Sequence, residues 1–186
     1  LKDCQAKVLI CDEERLSRIY PYLEDLRSDG SLHILAVRTD TDLPSDSIHW
    51  DEAMAVDNPL VDSVAVETDA EACSFYTSGT TGRPKGAVLT HRGIVTNLLN
   101  MAFWEALSTS AQARAIAAGK FPVGSNKVQG DSNPGSVLAV PLYHVSGCNS
   151  CLIPVTATGG RLVLMHRWDP ERALELIERE RTATFT

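Results

Sequence analysis

The chain has 186 residues, of which 44% are hydrophobic and 22% are charged, and its formal net charge is −7. This composition is typical of a globular domain with its own core and excludes a disordered chain. No apolar run approaches the roughly 20 residues that a membrane helix needs, and the first residues lack a signal-peptide pattern. We therefore expect no transmembrane segment and a cytoplasmic location.

The first elements predict a parallel sheet. Residues 6–11 form a short apolar run typical of a buried strand, and Asp12 can cap the helix that follows. Pro21 interrupts the helical spacing, which predicts a kink or two short helices, and Gly30 ends them. Residues 32–37 predict the next strand, so the segment is a β-α-β unit. Residues 38–71 are a surface connection in which residues 48–53 predict a short strand and turn.

Charge is divided unevenly along the chain. Residues 1–72 hold 17 of the 24 acidic side chains, whereas residues 73–168 hold two acids and eight Lys or Arg. The second stretch is locally positive, which favours an anionic ligand. Its basic residues are not interleaved with aromatic ones, so we expect no binding to nucleic acid.

A loop rich in glycine and hydroxyl groups lies in this positive stretch. Residues 76–86 contain four Ser or Thr, three Gly, one Pro and one Lys, between apolar runs at residues 72–76 and 87–89. The flanking runs predict a β-hairpin. Inward backbone N–H groups, hydroxyls and a mobile ammonium suit a polyphosphate. The predicted phosphate-binding residues are Thr77, Ser78, Gly79, Thr80, Thr81, Gly82 and Lys85.

Two other interpretations of this loop compete with the phosphate site. The nucleotide P-loop pattern requires Gly before the Lys and Ser or Thr after it, but Pro84 and Gly86 stand there. An unrelated P-loop enzyme is therefore disfavoured. The loop could also be a solvated turn that happens to be rich in Gly and Thr.

A helix is predicted next, with Thr90 as its N-cap and an end near Leu107. Residues 108–136 predict a surface loop. Residues 137–140 then predict a buried strand that ends at Pro141. Because ligands gather beyond the carboxyl ends of strands in open α/β sheets, His144 is placed to face such a crevice. The alternative is a structural histidine.

The remaining residues complete the α/β pattern. Residues 147–157 predict a buried helix, residues 161–165 a strand, residues 169–181 an amphipathic helix capped by Asp169, and residues 182–186 the start of another strand. His144, Cys148 and Cys151 share one helix face, which suggests zinc. The set lacks a second Cys pair, so buried free thiols in a reducing compartment explain the cysteines better.

Two motifs resemble those of one enzyme family. Residues 76–86 match every fixed position of the signature of the AMP-forming adenylating enzymes, and residues 141–147 are similar to a second segment of that family. The resemblance implies an α/β fold with a mostly parallel sheet flanked by helices and a β-hairpin carrying the phosphate loop. It also implies that residues 1–186 are part of the large N-terminal AMP-binding domain, without the small C-terminal domain.

The resemblance further implies a two-step reaction. A carboxylate attacks the α-phosphate of ATP, and a thiol, usually that of coenzyme A, then takes the acyl group. Lys85 is the implied catalytic residue, His144 and Gly147 border the acyl pocket, and Mg²⁺ assists with ligands that none of these 186 residues supplies. The expected protein is an acyl-CoA synthetase, with a fatty or aryl acid as substrate.

A non-catalytic chain that keeps the loop as structure or as a binding module is the alternative. The adenine, ribose and metal ligands of the family lie outside these residues. We therefore expect the isolated chain to catalyse nothing and, because its sheets would have unpaired edges, to self-associate.

Overall fold

A computed structural model describes residues 1–28, 32–55, 64–80, 82–120 and 135–186. The chain divides into two compact units, Leu1–Val64 and Ala65–Thr186. Gly30, expected to end the second helix, and Thr81, expected to bind phosphate, both lie outside the described residues, as does the latter half of the predicted loop at residues 108–136.

The first unit is the predicted β-α-β unit with one further strand. Strands β1 (Val8–Asp12), β2 (His33–Val37) and β3 (Ser47–His49) form a parallel sheet in that order. Helix α1 (Glu13–Ile19), a 3-10 turn (Tyr20–Tyr22) and helix α2 (Leu23–Leu26) connect β1 to β2. The break at Pro21 is confirmed. Helix α3 (Trp50–Met54) follows β3, where a simple turn was predicted.

Local sequence signals and a small core define this unit. The Asp12 carboxylate accepts from the backbone N–H of Arg15, as an N-cap should. This bond and, to a lesser degree, the Arg15 and Arg38 guanidiniums lower the pKa of Asp12. Between the sheet and α1 lies a cluster of buried side chains: Cys11, Leu16, Leu23 and Ile34.

The second unit begins with an antiparallel hairpin. Strands β4 (Glu71–Thr77) and β5 (Lys85–Thr90) pair along their length. Helix α4 (His91–Ala117) starts directly after β5, with the Thr90 hydroxyl accepting from the N–H of Gly93. The predicted end near Leu107 is wrong, because helix formers such as Ala and Gln continue the helix through residues first assigned to a loop.

Strand β6 (Gly135–Leu138) leads into a helical segment of mixed register. Helix α5 (Val145–Gly147), a π-helical turn (Cys148–Leu152) and helix α6 (Ile153–Ala157) follow one another without a break. The buried helix predicted at residues 147–157 therefore starts two residues earlier and contains a wider turn.

A second parallel sheet carries the core of this unit. Strand β6 lies between β7 (Leu162–Leu164) and β8 (Thr182–Phe185), and helix α7 (Pro170–Glu180) connects these two strands. The Asp169 carboxylate caps α7 by accepting from the N–H of Arg172, as predicted. The core consists of Val137, Met165, Ala173 and Leu176.

The predicted fold class is confirmed. The described residues form two parallel sheets flanked by helices, together with one hairpin that carries the Gly-rich loop. Among the helices that the structure describes, none is both long and apolar enough to cross a membrane.

Candidate functional site

The register of the hairpin defines the mouth of the Gly-rich loop. Thr77, the last residue of β4, pairs with Lys85, the first residue of β5, and Tyr76 pairs with Gly86. A paired strand on each side therefore holds both ends of the loop. Lys85 projects from a hydrogen-bonded position rather than from a free chain, which limits where its ammonium can reach.

Two glycines give the loop its shape. Gly79 and Gly82 have φ angles of +63° and +79°, in the left-handed region that side chains with a Cβ disfavour. A Cβ at Gly79 would also lie 2.4 Å from the carbonyl oxygen of Arg83, across the loop. At Gly82 the space is open. Gly79 is thus required by both conformation and space, and Gly82 by conformation alone.

The loop presents several side-chain hydrogen-bond donors at its surface. The side chains of Thr77, Ser78, Thr80 and Lys85 are exposed. Within the described ranges, none of these four side chains makes a hydrogen bond or an ion pair. Hydroxyls and an ammonium held at the rim of a glycine loop suit an anion with several oxygens, such as a polyphosphate.

The second predicted segment is built around Gly147. A Cβ there would lie 2.5 Å from the carbonyl oxygen of Pro141 and 2.9 Å from that of Val140. Only glycine lets the start of the helix approach this backbone so closely. The chain between them folds into a turn, in which the N–H of His144 donates to Pro141.

His144 is the N-cap of α5, the short helix that ends at Gly147. Its Nδ1 accepts from the backbone N–H of Ser146 at 3.2 Å. Because Nδ1 accepts here, the neutral ring carries its proton on Nε2, which is free to donate outward. The imidazole is exposed, as is the neighbouring Tyr143. The structure thus gives His144 a local capping role and leaves its outer nitrogen open to a ligand.

The hairpin and helix α4 both lie beside the π-helical turn at Cys148–Leu152. Cys73 of β4 lies near Cys148. Burial of the Cys73 thiol raises its pKa, and the nearby Cys148 raises it further by a smaller amount. On helix α4, the side-chain Nδ2 of Asn97 donates to the backbone oxygen of Asn149 at 3.4 Å. The π-helical turn therefore lies near the hairpin and contacts the helix that follows it.

The cysteines are free thiols. Cys11 and Cys151 are buried, Cys73 and Cys148 are half-buried, and Cys4 is exposed. A raised pKa keeps the Cys73 thiol protonated at neutral pH, so it is not a prepared nucleophile. Among the described residues, no three His, Cys, Asp or Glu side chains are grouped to hold a metal ion, so His144, Cys148 and Cys151 do not form the alternative zinc site.

An ion pair fixes the start of α4 behind the loop. Arg92 contacts Asp69 through two bonds of 2.6 and 2.9 Å. The backbone N–H groups of His91 and Arg92 also donate to the carbonyls of Ala70 and Thr68. The Arg92 guanidinium lowers the pKa of Asp69, and the pKa of Arg92 is raised in turn.

Sequence reasoning missed the contact between α4 and the π-helical turn. Asn97 is a half-buried polar residue beside the half-buried Leu98 and Met101. A polar side chain among apolar ones on the packed face of a helix is a signal that could have identified it. Pro154, a proline inside a helical pattern, is a second such signal.

Known proteins are similar to this chain in sequence and fold. The model of the family described as AMP-binding enzyme matches residues 1–186. A 4-coumarate–CoA ligase 3 of Arabidopsis thaliana is 26% identical over 97% of this chain and 28% of its own length. The chain thus spans little more than a quarter of the curated relative it matches.

Solved structures show the same fold. ATP-bound MatB from Rhodopseudomonas palustris has a TM-score of 0.61 at 22% identity, over 96% of this chain and 29% of that one. An o-succinylbenzoate CoA synthetase from Bacillus subtilis, in complex with the acyl-adenylate intermediate OSB-AMP, has a TM-score of 0.51 at 25% identity, over 89% and 39%. The chain belongs to the AMP-binding enzyme family.

Proposed function

We propose that this chain forms the phosphate-binding part of an ATP-dependent ligase, which activates a carboxylic acid as an acyl-adenylate and transfers it to coenzyme A. One observation carries the proposal: a loop shaped by two left-handed glycines presents Lys85 and several hydroxyls that have no partner in the described chain. Membership of the AMP-binding enzyme family and similarity to CoA ligases support it.

Each loop residue has a physical role in this reaction. The hydroxyls of Thr77, Ser78 and Thr80 would bind phosphate oxygens, and we assign the same role to Thr81. Gly79 and Gly82 shape the loop so that backbone N–H groups can approach the ligand. Negative charge grows on the departing pyrophosphate, and Lys85 would stabilise it there. Mg²⁺ would share that charge, but we assign it no ligand among the described residues.

Acid-dependent exchange of pyrophosphate into ATP tests this proposal in the full-length protein. Lys85→Ala should slow adenylate formation about 100-fold, as the loss of one such donor typically does, and should leave acid binding unchanged. Arg83→Ala is the matched control, because it removes an exposed positive charge from the same loop at the variable position of the motif. Equal exchange rates in the wild type and Lys85→Ala would refute the role of Lys85.

We further propose that the acid has an apolar body, with a fatty acid as the expected substrate and an aryl acid as the competitor. Similarity to a 4-coumarate–CoA ligase and to an o-succinylbenzoate CoA synthetase supports the wider class. His144 and Gly147 would border the acid. His144→Ala should therefore change the ratio of kcat/KM between fatty and aryl acids without changing the requirement for ATP. A uniform loss for all acids would make His144 structural.

The second candidate, a chain without catalysis, applies to the 186 residues alone. We propose that residues 1–186 are part of a larger N-terminal domain, without the small C-terminal domain, and that expressed alone they show no ATP–pyrophosphate exchange. On α4, Phe103 and Trp104 are each 69% exposed, and Leu99 is exposed beside them. Such a patch favours self-association of the isolated chain.

Light scattering after size exclusion tests the association. A monodisperse monomer that catalyses exchange would refute both statements.

For the full-length protein we propose a location in the cytoplasm, a reducing compartment that suits the five free cysteines.

A further inference from the structure

The π-helical turn leaves one backbone carbonyl without its usual helical donor. At the end of the turn, the N–H of Ile153 donates to the carbonyl of Cys148, five residues back. The carbonyl of Asn149 would take its bond from the next residue, which is Pro154. Proline has no N–H, so the wider register cannot satisfy the Asn149 carbonyl from within the helix.

A side chain from another helix supplies the missing donor. Asn97 of α4 donates its Nδ2 to the Asn149 oxygen at 3.4 Å, across 52 positions of sequence. The bond is partly buried, and Asn149 itself is only 7% exposed. A buried carbonyl without a donor is costly, so this single contact has a strong reason to form.

The link joins the two halves of the candidate site. Helix α4 is capped by Thr90, the last residue of the strand that starts with Lys85. The π-helical turn begins directly after Gly147, whose close approach to Pro141 sets the position of the His144 turn. Any shift of the turn along α4 would change the separation between the phosphate loop and His144.

Asn149 gives a second indication that this junction positions the π-helical turn rather than stabilises the fold. Its side-chain Oδ1 is buried and has no partner within the described part of the chain. Native proteins leave few such atoms unsatisfied, because each costs stability. A wide helical turn, a buried unsatisfied amide oxygen and a proline just after the turn thus occur within residues 148–154.

We propose that Asn97 is a positioning residue, which holds the π-helical turn against α4 and so keeps the acid at the correct distance from the phosphates of ATP. The inference rests on the proposed ligase function. Asn97 itself would touch neither substrate. It acts through the Asn149 backbone, and a misplacement of about 1 Å between reacting groups can slow a reaction about 100-fold.

The test uses Asn97→Leu in the full-length protein, at a temperature well below the melting point of each variant. We expect kcat for acid-dependent pyrophosphate exchange to fall between about 10- and 100-fold, while KM for ATP and for the acid changes less than about threefold. Asn100→Leu is the control, since Asn100 is an exposed amide one turn along the same helix. It should leave kcat within about twofold of the wild type.

Pro154→Ala provides a second route to the same link. The alanine restores an N–H that can donate to Asn149, so the carbonyl no longer needs Asn97. We expect kcat to fall about three- to tenfold without loss of thermal stability, and the double variant to be no slower than Asn97→Leu within about twofold. Both single variants act on the same contact between Asn97 and the Asn149 carbonyl, so their effects cannot multiply.

The possible outcomes separate the two proposals. A fall in kcat at constant KM together with non-multiplying effects supports the positioning role. Equal kcat in Asn97→Leu and Asn100→Leu, or fully multiplying effects, overturns that role while the ligase function stands. No exchange by the wild type with any acid overturns the ligase function, and the positioning role with it.

Discussion

The hairpin loop and the β7-β6-β8 sheet of the second unit are held in place by different kinds of interaction. In the sheet, Val137 and Leu138 are at most 2% exposed, and Ala173 and Leu176 of α7 pack in one cluster with Val137. In the hairpin loop, the side chains of Thr77, Ser78, Thr80 and Lys85 are exposed, and glycines determine the backbone. The sheet is therefore held by side-chain packing, and the loop by backbone conformation.

This difference predicts that stability and activity separate between the two regions. A substitution in the sheet should lower the free energy of unfolding and leave the chemistry intact in the molecules that remain folded. A substitution in the loop should do the reverse. Each prediction below applies to the full-length protein.

Leu176→Ala should have the largest effect. Truncation of this buried leucine removes apolar contacts and leaves a cavity, so we expect a loss of about 3 kcal/mol in the free energy of unfolding. Leu174→Ala on the same helix is the control, because Leu174 is 68% exposed. Urea denaturation measures both. Equal losses at the two positions would contradict the assigned core.

Gly79→Ala should reduce activity nearly as strongly, on the order of 100-fold, with little change in stability. The alanine must adopt a left-handed φ and must move away from the Arg83 carbonyl, so the loop loses its shape. Rates of pyrophosphate exchange measure this. A stability loss as large as that of Leu176→Ala would show that the loop contributes to the core.

Gly82→Ala separates the two reasons for glycine in the loop. The added Cβ meets open space, so only the left-handed conformation is penalised, at about 1 kcal/mol. We expect roughly a fivefold loss of exchange activity, clearly smaller than at Gly79. Equal losses at both glycines would mean that the contact across the loop is unimportant.

Thr90→Ala tests the junction between the hairpin and α4. Loss of the N-cap hydroxyl should cost about 1 kcal/mol of stability. Thr90→Ser keeps the hydroxyl and should retain most of it. Thermal melts of the two variants compare them, and equal melting temperatures would show that the cap contributes nothing.

The Asp69–Arg92 pair should have the smallest effect, and one that depends on pH. Arg92 lowers the pKa of Asp69, so the stabilisation is present above the ordinary aspartate pKa of about 3.9 and is lost as pH falls through the lower value of the folded state. Both side chains are well exposed, and salt screens the pair. Asp69→Asn should therefore be slightly less stable at pH 6 and equal to the wild type in strong acid. A difference that persists in strong acid would contradict this ionic origin.

Features that depend on neighbouring residues in sequence were predicted well. The caps by Asp12, Thr90 and Asp169 are local bonds to an N–H three residues on, and the sequence alone indicates them. The hairpin follows from two apolar runs around a Gly-rich loop. The Gly-rich loop was located from its glycines, hydroxyls and lysine, and its binding of phosphate stays a prediction.

Other features depend on residues far apart, and only the tertiary structure decided them. Asn97 meets the Asn149 carbonyl across 52 positions, and no local pattern encodes that pairing. The register of the turn at residues 148–152 follows from Pro154 together with this outside donor. The reason for Gly147, the nearby Pro141 backbone, is likewise visible only when the chain is folded. Local hydrogen bonds and periodicity depend on residues that are close in sequence, so the sequence alone predicts them. Close packing between elements depends on residues far apart in sequence, so only the folded chain shows it.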